Sequence, residues 1–308
     1  MSRAVCIGEC MVELRRAGGD LFGRSFAGDV YNTAVYLKRS GPDLDVQFAT
    51  VTGIDPLSDA MREAWREQGV GDALAAAASD RRPGLYLIET DERGERSFHY
   101  WRGESAARGW ARTLAEQVRD GALDGAGLVY LSGISLAILS REDRASAIEL
   151  VSALRGRVDC IAFDPNLRPA LWDNISEARA AFLAMAKIAD ILLPSRQDLE
   201  LLFGDADLDS MAQRLAELGA REFAITAEAQ GCLVRSDGGS ERIAAPRVEA
   251  VVDTSGAGDS FNGAYLAARL AGQPPRAAAR AGLALAAYVV TQPGAIASPL
   301  SIQGGQSF

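Results

Sequence analysis

Short apolar runs rich in Val and Ile alternate, through most of the chain, with longer stretches whose apolar residues recur at helical spacing. A strand buried on both faces reads as a continuous apolar run, and neighbouring parallel strands must be joined by a crossover that is usually a helix. The alternation therefore predicts an α/β fold with a mostly parallel sheet wrapped by helices. The candidate strands are 5–8, 46–51, 128–131, 160–163, 191–193, 223–226 and 248–252. Asp55 or Ser58 can cap a helix that runs to residue 68 and stops at Gly69. Further helices are expected over 142–154, 176–189 and 211–218, the last ended by Gly219.

One region breaks the rhythm. Residues 84–90 and 96–102 are strand-like runs with alternating aromatic and charged residues, and between them lies the turn-forming Asp91-Glu92-Arg93-Gly94. This predicts a β-hairpin with one dry face, to which residues 11–14 can add a strand. The alanine run at 73–78 is assigned no role. No Pro- or Ser-rich linker or repeat divides the 308 residues, so one domain spanning 1–308 is expected, with segments 11–26 and 84–102 forming a lid.

Composition removes several functions. A net charge of −9 and a pI near 4.9 disfavour nucleic acid and anionic membranes as partners. Glu9 interrupts the N-terminal apolar stretch too early for a signal peptide or membrane span, which leads to an expected cytoplasmic location. Cys6, Cys10, Cys160 and Cys232 form no CxxC pair and read as reduced thiols rather than a metal or disulfide framework. A single histidine, His99 in a strand-like setting, disfavours triad hydrolysis and multi-histidine metal sites. With only Lys38 and Lys187, both in helix-like stretches, Schiff-base chemistry is also disfavoured.

The chemistry is carried by Asp253-Thr254-Ser255-Gly256-Ala257-Gly258-Asp259-Ser260-Phe261-Asn262-Gly263. A Gly-Ala-Gly turn entering a helix aims backbone N–H groups and the helix dipole at one point, an anion hole that side chains would obstruct. Asp259 follows in the first helical turn, where a carboxylate can orient an alcohol and take its proton. Read by itself, Gly-x-Gly-Asp is also an ordinary helix start with Asp259 as a cap. No Walker P-loop occurs.

The longer string DTSGAGDSFNGAYLAARL resembles the C-terminal signature of the ribokinase-like (PfkB) carbohydrate kinases. That resemblance implies a ribokinase-like three-layer α/β/α sandwich with a small β-sheet lid, ATP with Mg2+, and the use of a monovalent cation as an open possibility. It also implies a homo-oligomer assembled through the lid. By the same resemblance, Asp259 is the catalytic base and Gly256, Ala257 and Gly258 form the anion hole. Gly28, Asp29, Val30, Tyr31 and Asn32 resemble the N-terminal sugar-binding segment, with Ala27 in place of its usual first glycine. Without the family, Gly28-Asp29 reads as a turn before a helix capped by Asp29 or Asn32.

Residues 84–90, 94–102, 131–139 and 164–169 resemble 2-keto-3-deoxygluconate kinases in particular, which implies phosphorylation of that sugar acid at its 6-hydroxyl. Its carboxylate needs a cationic partner, for which Arg102 and Arg168 are candidates. Tyr86 and Tyr100 can hydrogen-bond its keto and hydroxyl groups or pack the dry face of the hairpin. On the nucleotide side the resemblance implicates Asn166, Arg168, Thr226, Glu228 and Gly231, with Glu228 standing where the family often has glycine. Ser195 is better read as a helix N-cap. A fructokinase, a ribokinase and a silent sugar- or nucleotide-binding regulator are the alternatives.

Overall fold

The computed structural model describes residues 2–90, 96–236 and 239–299. In chain order, β1 (Arg3–Ile7) is followed by β2 (Met11–Gly18), β3 (Leu21–Ala27), α1 (Asp29–Ser40), β4 (Asp45–Thr52), α2 (Pro56–Glu67) and β5 (Ala75–Ala77). Then come β6 (Leu85–Thr90), β7 (Arg96–Trp101), α3 (Trp110–Arg119), β8 (Leu128–Ser132), α4 (Gly133–Ala137), α5 (Arg141–Ala153) and β9 (Ile161–Asp164). The remainder is α6 (Ile175–Ala186), β10 (Ile191–Leu192), α7 (Arg196–Phe203), α8 (Leu208–Glu217), β11 (Glu222–Thr226), β12 (Cys232–Ser236), β13 (Gly239–Ile243), α9 (Ala257–Leu270) and α10 (Pro275–Val289).

The main sheet runs β13-β12-β11-β10-β9-β8-β1-β4-β5, parallel except for the β11–β12–β13 edge. Its two faces are sorted by strand alternation. Val5 and Ile7, Val129 and Leu131, Ile161 and Phe163, and Phe223 and Ile225 pack with α3, α5, α6, α7 and α8. The intervening Ala4 and Cys6, Leu128 and Tyr130, Ala162 and Ala224 pack with α1, α2, α9 and α10. Small residues on this second face allow its helices to lie close. Gly263 of α9 is where α1 presses in, since a Cβ there would stand 2.6 Å from Cβ of Tyr36 and 2.7 Å from N of Leu37. The result is the expected three-layer α/β/α sandwich.

A second, four-stranded sheet runs β3-β2-β6-β7. It contains the expected hairpin and the added strand, and β3 completes it. The expected turn at 91–94 lies outside the described residues. Met11, Ala27, Tyr86 and Ile88 form its own small apolar cluster.

Helix ends follow local chemistry. Asp55 accepts the N–H groups of Leu57 and Ser58, and Gly69 with φ 73° takes the chain out of α2. Ser195 caps α7 through a capping box with Asp198. Two expectations fail. Residues 248–252 are not a strand: Val251 and Val252 are exposed, and N–H groups of Val252 and Asp253 both meet the carbonyl of Val290. The hairpin β12–β13 already occupies the sheet edge beyond β11, so no ladder partner remains there. Conversely, Ala75–Ala77 forms the strand β5 beside β4, a place secured by pairing rather than by the weak β-propensity of alanine.

Candidate active site

α9 starts with Gly256 as N-cap at φ 74°, a conformation natural only to glycine, and a Cβ there would overlap the backbone carbonyl of Ala295. Replacing Gly256 by Ala is expected to cost at least about 2 kcal/mol in unfolding free energy, from the left-handed backbone and this overlap. A urea melt of Gly256→Ala superimposable on that of the parent would remove this constraint. Gly258, by contrast, sits within the first turn of α9 and faces open space. Among the described residues no side chain caps this helix; N–H of Ala257 turns back to the carbonyl of Thr254 at 3.3 Å, which leaves those of Gly258 and Asp259 as the helix start's donors for an anion.

Asp259 stands in that same turn, part-buried, and Oδ2 accepts a 2.8 Å bond from the amide of Asn32. Asn32 lies on α1 and is itself fixed by a contact from N–H of Gly28 to its Oδ1, at 3.4 Å. Burial, then the Asp29 carboxylate, push the Asp259 carboxyl up to about 7, while the Asn32 bond and the Arg168 cation pull the other way. A base poised near neutrality is the form in which a carboxylate can take a proton from an alcohol during reaction.

A second chain of bonds ties α1 and α9 to the end of β9. The Asn166 amide donates to Asp29 at 2.8 Å, and its backbone N–H to Asp164 at 2.9 Å, which holds Asn166 at φ 34° just past the end of β9. Asp164 in turn accepts the amide of Asn262, one helical turn beyond Asp259, at 2.8 Å. Asp164 is buried, and burial with the nearby Asp198, Asp29 and Asp259 carboxylates raises its pKa well above the ordinary range. N–H of Leu167 donates to Asp198 at 2.7 Å, which anchors the segment carrying Arg168.

The sequence-selected residues thus divide. Asn32 donates to Asp259 and Asn166 to Asp29, and the Arg168 charge reaches Asp259. Gly28 packs its Cα against the carbonyl of Glu9, where any side chain would collide. Val30 and Tyr31, expected at the sugar, are instead core residues: Val30 is fully buried, and the Tyr31 ring lies against Phe48 and Trp65. They face the sheet because Asp29 and Asn32, on the same first turn, face the site. The alternative of a cap by Asp29 or Asn32 also fails, since Gly28 is the N-cap, and Asn32 reaches back from inside the helix only to the N–H of Gly28.

In the small sheet, the Tyr86 hydroxyl donates to Glu13, the Tyr100 ring lies 5.6 Å from that of Tyr86, and Arg102 is ion-paired with Glu9. Thr226 ends β11 with its N–H on Pro194. After it, Glu228 adopts φ 50° and Gly231 φ 97°, so Glu228 holds the backbone shape that explains a glycine preference at its position. Sequence reasoning passed over Glu9, Glu13, Asp164, Asp198 and Asn262. Only Asn262 carried a signal, its place one turn after Asp259 on the same helix face.

Residues 1–302 match the pfkB family carbohydrate kinase profile. The chain belongs to this family. The kinase is 40% identical to a 2-dehydro-3-deoxygluconokinase of Dickeya dadantii over 94% of this chain and 95% of that protein. It is 38% identical to one from Escherichia coli, over 96% and 97% respectively. A crystal structure of a PfkB protein from Polaromonas superposes with a TM-score of 0.84 at 25% identity, covering 96% of the kinase and 97% of that chain. The chain is a sugar kinase. No helix among its described residues is long and apolar enough to cross a membrane.

Proposed function

We propose that this kinase transfers the γ-phosphoryl group of ATP to the 6-hydroxyl of 2-keto-3-deoxygluconate (2-dehydro-3-deoxy-D-gluconate). The observation that carries the reading is Asp259, held by Asn32 in the first turn of α9, a helix whose N-terminus no side chain among the described residues caps. With the sugar hydroxyl at Asp259 and the γ-phosphate over Gly258, attack is in line. Asp259 takes the hydroxyl proton as the new O–P bond forms, and the helix N-terminus stabilises charge on the transferring group. Among the described residues no cluster of three or more His, Cys, Asp or Glu side chains is arranged to hold a metal. Magnesium fits as a passenger on the nucleotide phosphates, where it neutralises charge, and Asn166 at its strained turn is the residue placed to order that complex. Thr226, Glu228 and Gly231 are proposed to flank the nucleotide. Assays with and without potassium test the monovalent cation.

The names of the relatives support the choice of sugar acid, as does the placement of Arg168. Its guanidinium is exposed, its hydrogen bond is to the adjacent carbonyl of Leu167, and its charge acts on Asp259. The substrate carboxylate, shared with Arg102, is a partner that suits it. Arg168→Ala is expected to lower kcat/KM for 2-keto-3-deoxygluconate about tenfold to a hundredfold, the scale of one hydrogen bond between charged groups. The activity with fructose or ribose, which lack the carboxylate, should change far less. Equal losses for acidic and neutral sugars would place Arg168 on the phosphates instead, and a parent enzyme that prefers a neutral sugar would overturn the substrate. Assembly through the small sheet belongs to the same proposal, supported by exposed Phe22, Phe98, Tyr100 and Trp101.

A further inference from the structure

Four stretches of chain connect the main sheet to the small one, and all of them meet at Glu9. The first is the turn between β1 and β2 that contains Glu9 itself. The second, from β3 to α1, passes Gly28, whose Cα lies so close that a Cβ would overlap the carbonyl of Glu9. The third enters β6 through Gly84, where a Cβ would stand 2.8 Å from Oε1 of Glu9, and the carbonyl of Gly84 accepts N–H of Val12 at 2.8 Å. The fourth leaves β7 through Arg102 and Ser105, whose guanidinium and hydroxyl both donate to the Glu9 carboxylate. The third and fourth are also paired, since N–H of Ala106 donates to the carbonyl of Arg82 at 2.8 Å.

Glu9 is 2% exposed and Ser105 3% exposed, so this carboxylate is held inside the protein with every contact on a crossing strand. A buried ionic pair of this kind contributes orientation more dependably than stability, because its desolvation cost offsets much of its attraction. Arg102 gives Glu9 one nitrogen, Nη2, while its Nε is buried and has no acceptor among the described residues. A buried N–H donor without a partner is costly, and a bound ligand can satisfy it.

We propose that Glu9 is the hinge pin of the small sheet and the positioning residue for Arg102, holding its guanidinium so that the buried Nε meets the carboxylate of the sugar acid. The second half rests on the substrate reading above, and the first does not. Glu9 fixes the angle of the small sheet by gripping the fourth crossing while its backbone abuts the second and its side chain the third. The same grip takes up Nη2 of Arg102 and leaves Nε without an acceptor among the described residues.

The test combines amide hydrogen exchange with kinetics on Glu9→Gln, on the milder Ser105→Ala, and on Arg102→Gln with and without Glu9→Gln. Exchange in β2, β6 and β7 is expected to rise at least tenfold in Glu9→Gln, less in Ser105→Ala, with β8, β9 and β11 unchanged. KM for 2-keto-3-deoxygluconate should rise at least tenfold while KM for ATP stays within twofold, and adding Glu9→Gln to Arg102→Gln should cost little more. Exchange that rises equally in both sheets, or in neither, overturns the hinge. A rise confined to the small sheet, with equal KM increases for acidic and neutral sugars, keeps the hinge and overturns the role of Arg102 toward the carboxylate.

Discussion

Asp259→Asn is expected to lower turnover by a hundredfold or more and yet to make the folded protein more stable above pH 7. The first effect is the usual scale for removing a positioned general base. The second follows from the ionisation of the parent. Its carboxyl is pushed from the usual 3.8 up to about 7 by burial and by Asp29. Between those values the folded state holds a proton that the unfolded chain has released. Stability associated with this group is therefore complete below about pH 4 and declines as pH rises through about 7, a loss of up to about 4 kcal/mol. Asn cannot ionise, so the melting temperature of the variant should match the parent near pH 4 and exceed it by a widening margin toward pH 8. In the parent, kcat/KM should fall on the acid side with a midpoint near pH 7, because only the ionised carboxylate accepts the proton. Near-normal turnover in Asp259→Asn would remove Asp259 from the mechanism, and equal melting temperatures at pH 8 would show that its charge is not buried.

Much of this architecture was legible because strand and helix periods are written into the order of residues. Val5, Ile7, Val129 and Leu131 announce buried strands whatever the topology, and Asp55 and Gly69 mark helix ends by chemistry local to a few residues. The motif at Asp259 was legible for the same reason, since a Gly-Ala-Gly turn and an acidic first helical turn are adjacent in sequence. What escaped depended on distant partners. Val251 and Val252 have strand-like side chains, but the edge they needed is filled by β12–β13, and Ala75–Ala77 has weak strand chemistry but finds β4 beside it. Glu9 and Arg102 are 93 residues apart, and nothing near either one signals that they form a buried pair. Val30 and Tyr31 were misplaced by reading a motif as a contiguous site, although helix geometry puts Asp29 and Asn32, three residues apart, on one face and turns the two residues between them away.

Gly258→Val is expected to abolish phosphoryl transfer while leaving the fold intact, and the contrast with Gly256→Ala separates two uses of glycine in one turn. From the sequence both glycines were expected to keep side chains out of the anion hole. The structure places a backbone requirement at Gly256, at φ 74° against the carbonyl of Ala295. Gly258 lies in the helix, and a Cβ built on it meets nothing within 4 Å. Valine is no worse than glycine as a helix residue, so Gly258→Val should melt within a few degrees of the parent. Its methyl groups would nonetheless project into the space above the first turn of α9, where a phosphate must approach the backbone N–H groups to bind. Isothermal titration with ATP and a coupled ADP-release assay should both report the loss, whereas the melting curve should not. A variant that folds, binds ATP normally and turns over at the parent rate would place the phosphoryl group somewhere other than the N-terminus of α9, and with it would displace the role given to Asp259.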